Sequence, residues 1–204
     1  MVFMKTLLFD FGKVIGFFDY RLATRRLTSH SDLPAEELHA LLFGSALEED
    51  YEAGRISTEQ FIRHARSSGR FRCSDDEFAV MYADIFWPND EVCSLLPHLK
   101  TRFRLLLASN TNELHARQFR KQFANTLQHF HALVLSYQIG ARKPSQAFFN
   151  HCLTLAGCEP KACLFIDDLP ANVEGARSCG MNGLLYARFQ ELRQRLKTLL
   201  VGLT

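Results

Sequence analysis

The feature that most constrains the fold is an apolar stretch near the N-terminus that ends in one carboxylate. Residues 6–9 read Thr-Leu-Leu-Phe, and Asp10 and Gly12 follow within three positions. An apolar run of this length is typical of a buried strand, and a glycine after it is typical of the loop that opens there. In open parallel α/β sheets the ligand site lies beyond the carboxyl ends of the strands. We therefore expect Asp10 to lie in a ligand crevice.

Three further apolar segments lead into polar or basic groups. They are residues 103–108 before Ser109 and Asn110, residues 132–136 leading through Gly140 to Lys143, and residues 162–166 before Asp167 and Asp168, with Asn172 four residues beyond. If the four strands share one parallel sheet, these side chains meet at one edge. Carboxylates bind Mg²⁺, whereas an ammonium and a hydroxyl suit phosphate.

From residue 88 onward, helical and strand patterns alternate. The expected helices are near residues 90–99, 113–123, 145–156 and 171–179, the strands begin near 103, 133, 163 and 183, and a closing helix runs to residue 200. Alternating strands and helices predict an α/β fold with a doubly wound parallel sheet, covered by helices on both faces.

Residues 16–87 carry only helical signals. Asp19 is a candidate N-cap, and Ser57 and Ser74 each begin a capping-box pattern. A connection this long, without a strand and between two strands of one sheet, predicts a small all-helical cap inserted into the core. The expected division is a core of residues 1–15 and 88–204 and a helical cap of residues 16–87.

The strand-end segments, in this order, resemble the four motifs of the haloacid dehalogenase-like (HAD-like) hydrolases, and the resemblance covers nearly the whole chain. The motifs are Phe9-Asp10-Phe11-Gly12-Lys13-Val14, Ser109-Asn110-Thr111-Asn112, Arg142-Lys143-Pro144 and Asp167-Asp168 with Asn172, Gly175 and Ala176. With Glu52-x-Gly54-x-Ile56-Ser57, they are most similar to the branch that contains bacterial α-D-glucose-1-phosphate phosphatase. They are more distantly similar to the N-terminal phosphatase domain of soluble epoxide hydrolase.

The resemblance implies a HAD-like Rossmannoid core and a Mg²⁺-dependent phosphatase that hydrolyses small phosphomonoesters, including sugar phosphates such as hexose 1-phosphates. Asp10 is then the catalytic nucleophile, which forms an aspartyl-phosphate that water hydrolyses. Ser109, through its hydroxyl, and Asn110, through its backbone N–H, bind the substrate phosphate. Lys143 also binds the phosphate and is catalytic, because it neutralises charge on the phosphate and the carboxylates.

The resemblance also implies a metal site at this edge. The expected Mg²⁺ ligands are the carboxylate of Asp10, the backbone carbonyl of Gly12 and the carboxylate of Asp168. Asp167 and Asn172 are expected to lie just behind these ligands and to act through water or by orienting them.

Gly12 is a departure from the pattern of most phosphatases in this family. They carry a second Asp two residues after the nucleophile, which protonates the leaving alcohol, and such a residue contributes about 10²- to 10⁴-fold. The anomeric hydroxyl of a sugar 1-phosphate is more acidic than an ordinary alcohol, so a site without the acid favours such substrates. Asp19 or another residue of the cap is an alternative proton donor.

Two other functions stay open at this point. One is a catalytically weak or inactive HAD-fold protein that binds a ligand or regulates a partner. Gly12 is the only feature of the sequence that favours it. A dehalogenase-like hydrolase also lacks the second Asp, but such enzymes work without metal and do not need the pair Asp167 and Asp168.

The composition indicates which kinds of partner and which location to expect. A net charge of +2 gives no reason to expect nucleic acid or membrane as a partner, and a small anionic substrate needs only local positive charge. The resemblance implies that the partner is a small phosphorylated metabolite, and we expect a monomer or a homodimer. The six cysteines form no Cys-x-x-Cys pair and are expected to be free thiols. Without a signal-peptide pattern, or an apolar segment of about 18 residues, we expect a cytoplasmic protein.

Overall fold

The computed structural model describes residues 3–201 of the chain. Its strands are β1 (Thr6–Phe9), β2 (Gly16–Phe18), β3 (Phe86–Pro88), β4 (Arg104–Ser109), β5 (Ala132–Leu135), β6 (Cys163–Asp167) and β7 (Asn182–Leu185). One sheet has the order β5-β4-β1-β6-β7, and every neighbouring pair in it is parallel. The predicted parallel α/β sheet is therefore confirmed.

Helices occupy most of the remaining chain. They are α1 (Tyr20–Thr28), α2 (Ala35–Leu42), α3 (Ala46–Glu52), α4 (Thr58–Gly69), α5 (Asp75–Ala83), α6 (Asp90–Cys93), α7 (Leu96–Lys100), α8 (Glu113–Gln122), α9 (Ala124–Leu127), α10 (Ser136–Ile139), α11 (Gln146–Ala156), α12 (Pro170–Ser178) and α13 (Phe189–Val201). A 3₁₀ turn, Pro160–Ala162, precedes β6. Within residues 3–201, no helix is long and apolar enough to span a membrane.

The central strand β1 is buried on both faces. Leu7 and Phe9 belong to a cluster with residues of α6, α7, α8 and α13, whereas Leu8 belongs to a second cluster with residues of α11 and α12. All three side chains are fully buried. Helices on both faces explain why β1 reads as a continuous apolar run rather than an alternating one. This is the doubly wound arrangement that the sequence predicts.

The order of the strands places β1 at a switch point. The chain continues from β1 to β4 and β5 on one side, and it reaches β6 and β7 on the other. Ligand sites of such sheets lie at this point, beyond the carboxyl ends of the strands. Asp10, directly after β1, lies there.

Helices α1 to α5 pack around a third apolar cluster. It contains the buried rings of Tyr51, Phe61, Phe78 and Tyr82, and Leu114 of α8 joins it from the core. The caps that the sequence predicts are present, since Asp19 accepts from the backbone of α1 and capping boxes begin α4 and α5. The boundaries of the predicted core and cap stay a prediction.

The expectation of purely helical signals over residues 16–87 is wrong at both ends of that segment. Strands β2 and β3 form an antiparallel pair in which Phe17 lies opposite Trp87 and Phe18 lies opposite Phe86. Each strand has only three residues, which is too short for a period-two pattern to be visible. Their partners are also distant in sequence, so no turn signal marks the pair.

The helix expected over residues 90–99 is divided into α6 and α7. Pro97 lies in the first turn of α7. Because proline has no backbone N–H, it cannot continue the hydrogen-bond ladder of a helix that begins before it. The six cysteines are all free, as the sequence predicts.

Candidate active site

Three carboxylates meet at the carboxyl ends of β1 and β6. Asp10 follows β1, Asp167 ends β6, and Asp168 comes next. One carboxylate oxygen from each residue lies within 4.8 Å of the other two. The backbone N–H of Asp10 donates to the carbonyl of Ile166 at 2.8 Å, so pairing of the two strands continues up to the cluster. The structure therefore brings together residues from opposite ends of the chain.

Lys143 lies inside this cluster and uses all three of its ammonium donors. Its Nζ atom lies 2.5 Å from Oδ1 of Asp10, 2.8 Å from Oδ2 of Asp167 and 2.8 Å from the carbonyl oxygen of Ala108. The residue is only 5% exposed. A buried ammonium that bonds to two carboxylates is held in one position.

Asn110 fixes the loop that carries Lys143. Its Oδ1 atom accepts from the backbone N–H of Lys143 at 2.8 Å, and its Nδ2 atom donates to the Lys143 carbonyl at 3.0 Å. The amide side chain is thus occupied, which leaves only the backbone N–H of Asn110 for the predicted phosphate contact.

Asp167 has no free hydrogen-bonding capacity. Oδ1 accepts from the backbone N–H of Leu169 at 2.8 Å, Oδ2 accepts from Lys143, and Nδ2 of Asn172 lies 3.1 Å from both oxygens. A carboxylate offers about four lone-pair positions, and these contacts use them. The carboxylate is also fully buried. This geometry suits the predicted supporting role behind the metal ligands.

The charges of the cluster do not balance. Burial raises the pKa of Asp10 to about 7, with Lys143 opposing and Asp167 adding to the rise. Burial also raises the pKa of Asp168, although Lys13, 3.4 Å away, opposes it. The pKa of Lys143 is raised, because the two carboxylates outweigh the effect of burial. Three carboxylates around one buried ammonium favour a further cation.

The residues present fit a hard divalent cation. Asp10 and Asp168 supply carboxylate oxygens, and Gly12, whose backbone carbonyl is the predicted third oxygen donor, lines the same cavity. Oxygen donors of this kind are the ligands that Mg²⁺ and Ca²⁺ prefer. Among the described residues, no other group of three such side chains could hold a metal ion.

A cavity of about 190 Å³ lies above the cluster. It is lined by six of the predicted site residues, Asp10, Gly12, Asn110, Lys143, Asp168 and Asn172. Asp167 lies behind the wall. Ser109 is also buried, and its hydroxyl lies 3.3 Å from the carbonyl oxygen of Asn110. The cavity does not reach Ser109, so its predicted phosphate contact stays a prediction.

Sequence reasoning missed the opposite wall of the cavity. Tyr20 at the start of α1 and Glu52 at the end of α3 line it, together with Arg142. Nη2 of Arg142 lies 2.9 Å from Oε2 of Glu52, and Nη1 lies 3.7 Å from Oε1 of Glu49. The only sequence signal was the segment Glu52-x-Gly54, which gave no direction for the Glu52 side chain.

Gly54 explains how Glu52 reaches the core. Its φ of 67° is in the left-handed region, and a Cβ at this position would lie 2.2 Å from the carbonyl oxygen of Tyr137. Only glycine permits both the conformation and the close approach. The turn after α3 therefore packs directly on α10, a few residues before Arg142.

Phe18 occupies the space beside Gly12. A Cβ at Gly12 would lie 2.9 Å from Cε1 of Phe18 and 3.7 Å from Oδ2 of Asp10. An aromatic ring therefore lies where a longer side chain at position 12 would begin. Asp19, the alternative proton donor, instead caps α1 by accepting from the backbone N–H of Arg21 at 2.8 Å.

Comparison with known proteins supports the resemblance. A family model described as haloacid dehalogenase-like hydrolase matches residues 4–180. N-acylneuraminate-9-phosphatase of Mus musculus is 26% identical over 98 residues, which are 48% of this chain and 39% of that protein. The chain thus matches well under half of that relative's length.

Two further comparisons extend over nearly the whole chain. D-ribitol-5-phosphate phosphatase of Bacteroides thetaiotaomicron is 22% identical over 203 residues, which are 97% of this chain and 98% of that protein. A crystal structure of a HAD family enzyme from the same organism, in complex with magnesium and inorganic phosphate, has a TM-score of 0.80 at 23% identity. It covers 90% of this chain and 94% of its own. At this identity the likeness establishes the fold.

Proposed function

Because this chain belongs to the haloacid dehalogenase-like hydrolases, whose family model covers residues 4–180, we propose that it is a magnesium-dependent phosphatase of small phosphomonoesters. The observation that carries the proposal is the position of Asp10. It lines a closed-in cavity, bonds to a buried lysine and lies beside two further carboxylates. Phosphoryl transfer needs a fixed nucleophile, a cation site and donors for phosphate charge.

Asp10 is the nucleophile of the proposed reaction. Lys143 holds Oδ1, while Oδ2 is the oxygen nearest to Gly12. An oxygen of Asp10 attacks phosphorus, the bond from phosphorus to the leaving oxygen breaks, and an aspartyl-phosphate results, while the leaving oxygen takes a proton from solvent. Water then attacks phosphorus and gives up a proton to solvent, the bond to Asp10 breaks, and inorganic phosphate leaves.

The charge of Lys143 and the backbone N–H of Asn110 stabilise the phosphate in this proposal. The ammonium of Lys143 lies beside Asp10, where it offsets charge that develops on the phosphate oxygens. The backbone N–H of Asn110 follows β4 shortly before α8, a position typical of phosphate contacts. The hydroxyl of Ser109 is the further phosphate contact that the resemblance implies.

Asp10, the carbonyl of Gly12 and Asp168 would hold the magnesium ion. Magnesium held there would offset the negative charge of the carboxylates and of the phosphate. Asp167 and Asn172 keep their neighbours oriented, since their own hydrogen bonds are complete. Without a cation, burial disfavours the ionised form of Asp10 and raises its pKa to about 7.

The leaving group is the part of the substrate that Gly12 affects. The site has no acid at that position, and the Phe18 ring takes up the neighbouring space. Monoesters whose alcohol departs with little protonation, such as sugar 1-phosphates, are therefore the favoured substrates. The names of the two phosphatase relatives, which refer to ribitol and N-acylneuraminate phosphates, agree with a hydroxyl-rich leaving group.

Hydrolysis of p-nitrophenyl phosphate tests the proposal, because its leaving group needs little protonation. We expect release of p-nitrophenol that requires magnesium, stops with a chelator and is lost in Asp10→Asn. Asp76→Asn is the matched control, since Asp76 is exposed on α5 and far from the cavity wall. It should retain wild-type activity.

Two outcomes would contradict the proposal and identify the alternatives. Absence of hydrolysis of aryl and sugar phosphates at every magnesium concentration would indicate a ligand-binding protein that has lost turnover. Metal-independent release of halide from 2-haloacids would indicate a dehalogenase-like hydrolase.

A further inference from the structure

The cavity above Asp10 has a polar wall that the proposed chemistry does not use. Tyr20, Glu52 and Arg142 line this wall, opposite the residues that handle the phosphate. Arg142 directly precedes Lys143 in the chain, so its backbone is fixed by the same loop. A phosphate bound at Asp10 and Lys143 would direct its ester oxygen, and the group attached to it, toward this wall.

The ion pair of Glu52 and Arg142 leaves Arg142 with an unused hydrogen-bond donor. Oε2 of Glu52 lies 2.9 Å from Nη2 of Arg142. Nε of Arg142 is buried and has no partner among the described residues. Glu52 is 9% exposed in its side chain and Arg142 is 31% exposed. A fixed acceptor beside fixed donors matches hydroxyl groups, which both donate and accept.

The charge on this wall is also suited to an uncharged ligand. Glu48 lies one turn before Glu52 on α3 and is buried, and its Oε1 atom has no partner among the described residues. Burial, and then the charge of Glu52, raise the pKa of Glu48 to about 7. Burial raises the pKa of Glu52 as well, and Arg142 opposes that rise, so burial reduces the negative charge that this wall carries. Tyr20 keeps its phenolic proton, because burial raises its pKa well above the ordinary value.

A different wall of the site is aromatic. Phe17, Trp87 and Phe189 line a larger cleft of about 660 Å³, which shares Lys13, Phe18 and Asp168 with the Asp10 cavity. Apolar or aryl leaving groups would lie across this cleft. The Asp10 cavity, which Glu52 also lines, is smaller, at about 190 Å³. Polar leaving groups would lie toward Glu52, and apolar ones would lie toward the larger cleft.

We propose that Glu52, Arg142 and Tyr20 form a subsite that binds the hydroxyl groups of a small polyol or sugar leaving group, and that this subsite selects hydroxyl-rich phosphomonoesters. Glu52 accepts from one hydroxyl, and Arg142 donates to another. A substrate without hydroxyls leaves these buried polar groups unpaired, which is how a polar site rejects apolar analogues. This inference rests on the proposed phosphatase function.

Substrates matched in size test it with the wild-type protein. The pairs are D-ribitol 5-phosphate with n-pentyl phosphate, and glucose 6-phosphate with cyclohexylmethyl phosphate, so that both leaving alcohols of a pair are primary and the lack of an acid at Gly12 affects them alike. We expect kcat/KM to be at least about tenfold higher for the hydroxylated member of one pair or both, as one hydrogen bond to a charged group provides. The difference should lie mainly in KM. Equal kcat/KM within both pairs overturns the inference.

Variants identify the residues. Glu52→Gln and Arg142→Met should each reduce the preference within a pair by about tenfold, through a higher KM for the hydroxylated substrate. Glu49→Gln is the matched control, because Glu49 also faces Arg142, at 3.7 Å, but lies outside the Asp10 cavity. It should keep the wild-type preference.

The outcomes separate this inference from the proposed function. If p-nitrophenyl phosphate and both members of each pair lose activity equally in Glu52→Gln, the ion pair only holds α3 on the core, and the subsite is wrong while the phosphatase stands. If wild-type protein hydrolyses p-nitrophenyl phosphate but shows no preference, the subsite is again wrong. If it hydrolyses nothing, both fail.

Discussion

The two walls of the Asp10 cavity differ in how completely their polar groups are paired. On the core wall, Lys143 uses all of its donors, and Asp167 uses all of its acceptor positions. Three buried side-chain polar atoms in the described part of the chain lack a partner; one belongs to Arg142, in the opposite wall, and one to Glu48, one turn before Glu52 on α3. The hydrogen bonds of the core wall, which Asp10 and Lys143 form with Asp167 behind them, are complete without a substrate. Those of the cap-side wall, which Tyr20, Glu52 and Arg142 form, are not.

This difference separates chemistry from selection. A wall whose hydrogen bonds are already made is preorganised for one invariant group, here a phosphate with its cation. In a wall with unused donors and acceptors, the unfavourable desolvation free energy of these groups is offset only when a suitable ligand binds. Substitutions in the core wall should therefore affect all substrates alike, and those in the cap-side wall should change the preference among substrates.

The largest effect is expected for Lys143→Met. It leaves Asp10 and Asp167 buried without their shared cation, which costs about 3–5 kcal/mol in unfolding free energy. It also removes the charge beside the phosphate, so kcat/KM should fall by about 10³-fold for every substrate. Chemical denaturation and steady-state kinetics measure both. Lys121→Met, at an exposed position of α8, is the control; a loss confined to one class of substrate would break the comparison.

The next largest effect is expected in the pH dependence of the unfolding free energy, to which Glu48 contributes. Its pKa is about 7 in the folded protein, against an ordinary value of 4.5. The folded state therefore holds a proton that the unfolded state loses, and stability falls as pH rises from 4.5 to about 7. A tenfold change in the ionisation constant corresponds to about 1.4 kcal/mol. The unfolding free energy should therefore fall by about 3 kcal/mol over this pH range.

Glu48→Gln should remove this decrease in unfolding free energy with rising pH. Unfolding free energies of both proteins, measured by denaturant titration between pH 4 and pH 8, give the difference curve, which isolates Glu48 from Asp10. The variant should gain stability relative to wild type as pH rises. Parallel curves for the two proteins would show that Glu48 is ionised in the folded state, contrary to the account of the cap-side wall.

A smaller effect is expected for Asn172→Ala on the core wall. The substitution removes both contacts from Nδ2 to Asp167, and loss of such a supporting group typically costs about 10- to 100-fold in metal affinity. The magnesium concentration for half-maximal activity should rise accordingly, with the maximal rate less affected. Asn150→Ala, at an exposed position of α11, should leave the curve unchanged. An unchanged curve in Asn172→Ala itself would contradict the supporting role.

The smallest effect concerns Gly12→Asp, which restores the missing acid. Turnover of alkyl phosphates should rise about tenfold more than turnover of sugar 1-phosphates. This factor is below the usual range for a general acid. The reduction follows from Phe18, whose ring lies 2.9 Å from the new Cβ. Adding Phe18→Leu should enlarge the change, and Phe18→Leu alone is the control. An equal change for both substrate classes would count against this role of Gly12.

The core wall could be predicted from the sequence because strand order and polarity determine it. Asp10, Asp167 and Lys143 each follow a long apolar segment, and parallel strands bring such positions to one edge. The supporting position of Asn172 also follows, since it lies one helical turn into α12. These relations need only periodicity and the direction of the strands.

The cap-side wall could not be predicted in this way. Helical signals place Tyr20 and Glu52 on helices, but the direction of their side chains depends on how α3 packs on α10 through Gly54. The pairing of β2 with β3 was missed for a similar reason, because its contacts are distant in sequence and each strand is short. Arg142 had no signal of its own beside Lys143.

The most direct test of the central claim is to locate the phosphoryl group during turnover. Wild-type protein is mixed with p-nitrophenyl phosphate and magnesium, quenched in acid within one turnover and analysed by peptide mass spectrometry. The account predicts a magnesium-dependent phosphoryl group on Asp10, made easier to trap because Gly12 offers no base for its hydrolysis. A phosphoryl group on another residue, or sustained hydrolysis by Asp10→Asn, would contradict it.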